Sequence, residues 1–161
     1  MARARRSRVI PAPRADVWSV VSDPYHLPRW WPNVARVEGV HERKGGSGSQ
    51  WTNVFETKAG KSIRADFRCR YSRAPEAYGW EQEIPNSPFE KYLRSAVTDI
   101  ALSEADGGTL IEIETDQRLR GLSRFGGGAM LRRATGRQLD EALDALQSSF
   151  TSEIAERAGD G

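Results

Sequence analysis

The apolar positions of this chain follow two rhythms. In the middle of the sequence they alternate with polar ones. Ile63, Ala65, Phe67, Cys69 and Tyr71 share one parity, and Arg64, Asp66, Arg68 and Arg70 the other. Trp51, Phe55 and Thr57 alternate with Thr52, Val54 and Glu56 before them, and Tyr78, Trp80, Gln82 and Ile84 with Gly79, Glu81 and Glu83 after them. A period of two sends successive side chains to opposite faces of a strand, so these stretches predict a half-buried sheet. Beyond Gly126-Gly127-Gly128 the rhythm becomes helical. Leu131, Leu139, Ala142, Leu143, Leu146, Phe150 and Ile154 form one stripe, opposite Arg133, Arg137, Glu141 and Asp144. The predicted helix has about 28 residues and a length on the order of 40 Å, enough to cover a sheet. Gly159 marks its end.

The rest of the chain fills in the order of elements. Residues 4 to 11 read as a first strand that ends in Pro-Ala-Pro, and Pro13 suits the first position of a helix. Val17, Val20 and Val21 line one face of that helix. Asp23-Pro24 ends it and caps a second short helix that reaches Trp31-Pro32. Residues 33 to 42 read as a second strand, and Gly45 to Ser49 as a loop too small and polar to pack. A turn at Pro75 sets Arg70 opposite Glu81, Arg68 opposite Glu83 and Tyr71 opposite Trp80. A turn at Gly60 sets Glu56 opposite Arg64. Facing opposite charges support both registers. Asp106-Gly107 is a hairpin signal that pairs Leu102 with Ile111, Ile100 with Ile113 and Thr98 with Thr115. It also sets Asp99 against Glu114, with no compensating partner evident. The order is strand, two short helices, six strands and a long helix. That is an α+β chain whose residues 1–161 form one domain.

Composition narrows the function. A chain of 161 residues can close one core without a disulfide or metal staple. The net charge is only +2. Acidic residues accompany the basic ones except at Arg3, Arg5, Arg6 and Arg8, a run that reads as a strand edge or solvated tail. No basic face with interleaved aromatics is evident, so no nucleic acid is expected as a partner. Cys69 is the only cysteine and can form no internal disulfide, which fits a reducing compartment. No apolar run approaches the ~20 residues of a membrane span. No apolar region follows the basic N-terminus, so the expected location is cytoplasmic. His26, His41 and Cys69 lack metal-ligand spacing. The triple glycine lacks the Lys-Ser/Thr of a phosphate-binding loop and reads as a hinge. No metal or cofactor is expected, and nothing sets the oligomeric state.

The parity argument names a set of inner-face residues. Trp51, Phe55, Phe67, Tyr71, Trp80 and Tyr92 supply aromatic surface, and Asn53, Gln82, Arg94, Thr98, Thr115 and Gln117 supply polar groups. Met130, at the start of the long helix, completes the candidate lining. These residues either fill the core beneath the helix or line a cavity; aromatic walls with a few polar groups are typical of ligand pockets. Trp30 and Trp31 sit on the second short helix, one expected to pack inward and the other to stay partly exposed. Arg94 shares the parity of Thr98 and is expected to point into the concavity. There it would reach water at the mouth, an acid such as Asp140 or Asp144, or an anionic ligand.

Two segments add a resemblance. The opening VIPAPRADVWSVVSDPYHLPRWWPNV, residues 9 to 34, and Asp-Gly-Gly-Thr at 106 to 109 resemble the START-like superfamily, also called the helix-grip or Bet v 1-like fold. They are most similar to its bacterial polyketide cyclase/dehydrase and lipid-transport branch, over essentially the whole chain. The resemblance implies a curved seven-stranded antiparallel sheet wrapped on the long helix, with two short helices between strands 1 and 2. It implies a cavity that binds a hydrophobic small molecule such as a lipid, polyketide or aromatic. It leaves open a cofactor-free aromatase/cyclase, with Arg94, Tyr92, Tyr71, Gln82 and Thr98 as proton donors and acceptors. It also leaves open a protein-interaction module.

Overall fold

The structure is a computed structural model that describes residues 2–41, 46–121 and 126–160. Seven antiparallel strands form one curved sheet in the order β1-β7-β6-β5-β4-β3-β2. They are β1 (Ala2–Ile10), β2 (Val34–His41), β3 (Gln50–Glu56), β4 (Ser62–Arg73), β5 (Ala77–Gln82), β6 (Leu93–Ala105) and β7 (Gly108–Leu119). Between β1 and β2 come α1 (Arg14–Val21) and α2 (Leu27–Trp30), and α3 (Gly128–Gly159) closes the fold. The expected end of β2 at residue 42, and Gly45 of the following loop, lie outside the described residues. The rest of that loop packs: Ser49 is buried, and Gly48 and Ser49 exchange backbone hydrogen bonds with Cys69. The expectation of an unpacked loop is corrected there, because the β3–β4 ladder extends into it.

The core lies between the concave face and the helices. Ile100, Leu102, Ile111 and Ile113 of the long hairpin are buried with Leu139, Leu143, Leu146 and Phe150 of α3 and Val17 and Val21 of α1. The stripe on α3 stops at Phe150. Ile154 is 51% exposed, because the 32-residue helix, roughly 48 Å at 1.5 Å per residue, runs on beyond the body.

Helix α3 is tied to the edge strand by charge. Arg6 Nε donates to Asp140 at 3.1 Å, and Arg8 pairs with Asp144. The guanidinium of Arg6 lies 2.5 Å from where a Cβ on Gly136 would stand, so the side chain uses the space that the glycine leaves. On the outer face Arg3 pairs with Asp116 at 3.1 Å and Arg5 with Glu112 at 2.8 Å. The basic run at the N-terminus is therefore a strand whose four arginines are all paired within the fold.

The hairpin at Asp106-Gly107 has the expected register, including Asp99 opposite Glu114. Each acid has a cationic neighbour. Asp99 accepts hydrogen bonds from Tyr71 Oη at 2.6 Å and Arg70 at 3.2 Å, and Glu114 lies 3.7 Å from Arg3. The other two expected registers are off by two residues. Arg68 faces Glu81 rather than Glu83, and Glu56 faces Ser62 rather than Arg64. Arg64 instead donates to Glu38 on β2 at 2.6 Å. A slip of two keeps every side chain on its face, so charge complementarity alone did not choose between these registers. Bulges do change faces. One interrupts β4 between Cys69 and Tyr71, and another interrupts β6 between Leu93 and Ser95.

Candidate functional site on the concave face

The two bulges remove residues from the expected site. Past the first, Tyr71 pairs with Gly79 and lies on the outer face, where its ring occupies the space that a Cβ on Gly79 would need, 2.6 Å away. There it is flanked by the guanidinium groups of Arg70 and Arg73, at 5.8 and 5.1 Å from the ring centroid. Burial, then the hydrogen bond to Asp99, pushes its phenol up to about 12. The second bulge contains Arg94. Its side chain is exposed and lines a slot of about 390 Å³ with Arg68, Glu81 and Gln82. That slot opens where the β5–β6 pairing ends, at Glu81 and Val97. The expectation that Arg94 points into the concavity fails because an extra residue breaks the parity. The proposed helix partners fail as well, since Asp140 and Asp144 are taken by Arg6 and Arg8.

Two other expected lining residues lie elsewhere. Tyr92 is 59% exposed at the end of a short 3-10 turn, Pro88–Lys91, where no strand alternation applies. It borders a groove of about 750 Å³ beside Thr52, Arg64, Asp66, Glu83 and Phe89. Met130 is 74% exposed on the first turn of α3. Several polar groups of the 750 Å³ groove are paired with protein: Thr52 Oγ1 donates to Asp66 at 2.6 Å, Gln50 bonds Glu83 at 3.4 Å, and Arg64 holds Glu38.

The other expected residues do share the concave face. Trp51, Phe67 and Gln82 stand in one register row across β3, β4 and β5, with Asn53 two residues along β3 from Trp51. Trp51 stacks on Phe67, with centroids 6.0 Å apart and planes at 11°. Phe55 is half-buried against the same core. Trp80 meets Trp51, Trp30, Trp31 and Tyr78 edge-on at centroid distances of 5.1 to 6.4 Å. Both Trp30 and Trp31 are buried, which corrects the expectation that one is partly exposed. Both rings meet Trp80, an arrangement that local spacing did not reveal. Cys69, also buried in this region, has its thiol pushed up by burial.

Hydrogen bonding splits the polar members into two groups. Thr98 and Thr115 bond each other across β6 and β7 at 2.9 Å. Gln117 Oε1 accepts from Thr135 of α3 at 3.1 Å. A groove of about 320 Å³ between Pro32-Asn33 and the first turns of α3 leads down to Gln117. By contrast, Trp30 Nε1, Trp51 Nε1, Asn53 Oδ1 and Gln82 Nε2 are buried without a protein hydrogen-bond partner. Buried polar groups nearly always have partners, so these four stand apart from the paired threonines; on the outer face Asp116 Oδ1 shares their condition. Among the described residues, no cluster of His, Cys, Asp and Glu is arranged to hold a metal ion, and no helix is long and apolar enough to cross a membrane.

A curved antiparallel sheet gripping a long C-terminal helix, with an aromatic concave face, defines the helix-grip class. The chain belongs to the family described as polyketide cyclase/dehydrase and lipid transport, whose profile matches residues 1–151. A search of curated proteins finds no match. Among solved structures it is similar to a START superfamily protein from Mycobacterium smegmatis, with a TM-score of 0.76 and 16% identity over 94% of this chain and 99% of that one. It is similar to the di-domain ARO/CYC StfQ from the steffimycin biosynthetic pathway, with a TM-score of 0.77 and 14% identity over 96% of this chain and 52% of that one. TTHA0849 from Thermus thermophilus gives a TM-score of 0.72 and 18% identity over 94% of this chain and 98% of that one. At these identities the likeness is one of fold.

Proposed function

We propose that this protein binds a small, largely apolar molecule between the concave face of the sheet and its helices. The observation that carries this reading is Asn53: 3% exposed, on the concave face beside Trp51, with a buried carbonyl oxygen that no protein group satisfies. The wall around it is Trp51, Phe67 and Trp80, and an apolar surface with a few converging polar groups suits a small ligand. The family's description, which includes lipid transport, supports the same reading. The test is native mass spectrometry of the protein expressed in its own host. The expected spectrum shows a protein peak with an added small-molecule mass, lost on denaturation. A single unliganded mass, together with no uptake of an apolar fluorescent probe, would contradict the reading.

The second reading is a cofactor-free aromatase/cyclase, which the family description and the fold shared with the ARO/CYC di-domain support. Acid–base catalysis needs a group that titrates near the working pH and stands within reach of the substrate. Of its five candidates, Tyr71, Tyr92 and Arg94 lie off the concave face. Gln82 and Thr98, which remain there, neither gain nor lose protons near neutrality. Binding and orientation without proton transfer is therefore the favoured role.

A further inference from the structure

We propose that the end of the molecule where α3 begins is a docking surface for an anionic lipid bilayer, with Met130 and Tyr92 entering the headgroup layer and the surrounding arginines and Lys91 meeting lipid phosphates. The proposal does not depend on what the concave face holds.

The topology brings separate segments of the chain to this end. Leu93 of β6 pairs with Leu119 of β7, and the Arg120 N–H donates to the Tyr92 carbonyl at 2.8 Å. Thr135 of α3 bonds Gln117 at 3.1 Å. Helix α3 runs along β1 from Gly136, beside Arg6, to Asp144, beside Arg8. The start of β1, Ala2, lies opposite Gln117, so the turns of α3 before Thr135 reach past the end of the sheet. Met130 stands roughly 7.5 Å ahead of Thr135 along the helix, at 1.5 Å per residue. Lys91, Arg118, Arg120, Arg132, Arg133 and Arg137 are gathered here, all exposed. Because they come from distant stretches, the cluster is invisible along the sequence.

These side chains have no ion pair or hydrogen bond among the described residues. Arginines elsewhere are held: Arg5 by Glu112, Arg6 by Asp140, Arg8 by Asp144, Arg64 by Glu38 and Arg68 by Glu81. Acids bordering this end do not neutralise it. Asp116 is held by Arg3, and Glu90 accepts from the Asn86 N–H at 3.2 Å. Residues 128–139 of α3 include no acid, and Glu141, one turn beyond Arg137, forms no ion pair among the described residues. Arg132 and Arg133 sit near the positive end of the helix dipole, and Arg133 and Arg137 are like charges at i,i+4. Both placements disfavour the free protein, and an anionic surface against this end relieves both. Arg94, exposed in the adjoining slot and also without an ion pair, extends the patch. The whole chain carries only +2, so the remainder of the molecule is acidic on balance and this end is the one that turns toward an anionic surface.

Charge alone would suit any polyanion. The apolar side chains favour a bilayer. Met130, 74% exposed, and Tyr92, 59% exposed, stand among the cations. The boundary between headgroups and acyl chains takes up such side chains while phosphates meet the guanidinium groups.

The test is co-sedimentation of the full chain with vesicles of phosphatidylcholine alone and of phosphatidylcholine with about one-third phosphatidylglycerol, in about 0.1 M salt. Binding is expected to the second and not the first, and should be lost in about 0.5 M salt. The double variant Arg132→Gln, Arg133→Gln should bind at least about ten-fold more weakly, since each cation near such a surface contributes about five-fold. Its denaturation midpoint should equal the parent's or exceed it, which shows that it folds. Arg14→Gln with Arg73→Gln removes the same charge at the opposite end, where Arg14 lies 3.9 Å from Glu76, and should weaken binding by less than about two-fold. Met130→Ser should weaken it by about three-fold or more. No binding to the anionic vesicles, or equal losses in the two double variants, would overturn the proposal. So would vesicle binding indifferent to Met130→Ser, or tighter binding to duplex DNA than to the vesicles, which would assign the patch to a polyanion without a bilayer.

Discussion

The concave face has two halves that treat polar groups differently. Under α3, the β6–β7 half is closed: Thr98 bonds Thr115, Gln117 bonds Thr135, and Ile100, Leu102, Ile111 and Ile113 pack against leucines of the helix. The β3–β5 half presents Trp51, Asn53 and Gln82 with buried polar atoms that no neighbour satisfies. Both halves come from the same alternating pattern of residues. The difference lies in what covers them: a long helix with its own hydroxyl on one side, and the indole-bearing α2 turn on the other. Polar satisfaction, rather than apolarity or depth, separates the two halves, and on the proposed reading the unsatisfied half is the one that meets ligand. A site located by groove volume alone would fall on the convex side, beside Tyr92.

Substitutions can break this comparison, beginning with the largest expected effect. Leu143 is fully buried in the closed half, so Leu143→Ala should destabilise by about 2–5 kcal/mol in a urea titration. An unchanged midpoint would mean that the helix does not close that half. Next come Thr98→Val and Thr115→Val. Each single change leaves one buried hydroxyl unpaired and should cost about 1–3 kcal/mol, and the double variant should cost less than the sum. In the open half the sign reverses. Asn53→Leu removes an unsatisfied group and should stabilise the ligand-free protein by roughly 1 kcal/mol while weakening binding. A loss of stability there would show that Asn53 has a structural partner and would erase the contrast.

Two smaller effects sharpen the boundary. Tyr71 on the convex face keeps its proton up to about pH 12, whereas a tyrosine in the unfolded chain titrates near 10. Between those values the folded state holds the extra proton, so this contribution to stability falls as pH rises and is constant below about 10. Denaturation midpoints across pH 9 to 11 should decline less for Tyr71→Phe than for the parent. Equal declines would mean that neither burial nor Asp99 holds the proton on the phenol. Smallest of all, Arg94→Met should change stability by less than about 0.5 kcal/mol, as exposed substitutions do, and leave ligand preference alone.

Most of the architecture was legible in the sequence because burial imposes a period. The faces of Phe67, Trp80, Thr98 and Thr115, the hairpin at Asp106-Gly107 and the stripe from Leu139 to Phe150 all follow from it. Errors cluster where one residue breaks the count. The bulges at residues 70 and 94 turn Tyr71 and Arg94 outward, and neither place carries a glycine or proline to announce it. Tyr92 follows a 3-10 turn, where strand parity has no meaning. The burial of both Trp30 and Trp31 depends on Trp80, some fifty positions away, and so has no local signal. The sequence offered Asn53, Gln82, Thr98 and Thr115 as equals. Only three-dimensional pairing separates the two that bond each other from the two that each keep one buried atom unsatisfied.

The most direct test of the open half is the nitrogen–proton spectrum of the indole groups. With signals assigned from single Trp→Phe variants, 1,8-dihydroxyanthraquinone is titrated into the labelled protein. The account predicts that the Nε1–H signals of Trp30 and Trp51 move downfield and gain protection from solvent exchange, while that of Trp18, outside this group, stays in place. Saturable binding that leaves both the Trp30 and Trp51 signals unmoved would contradict it.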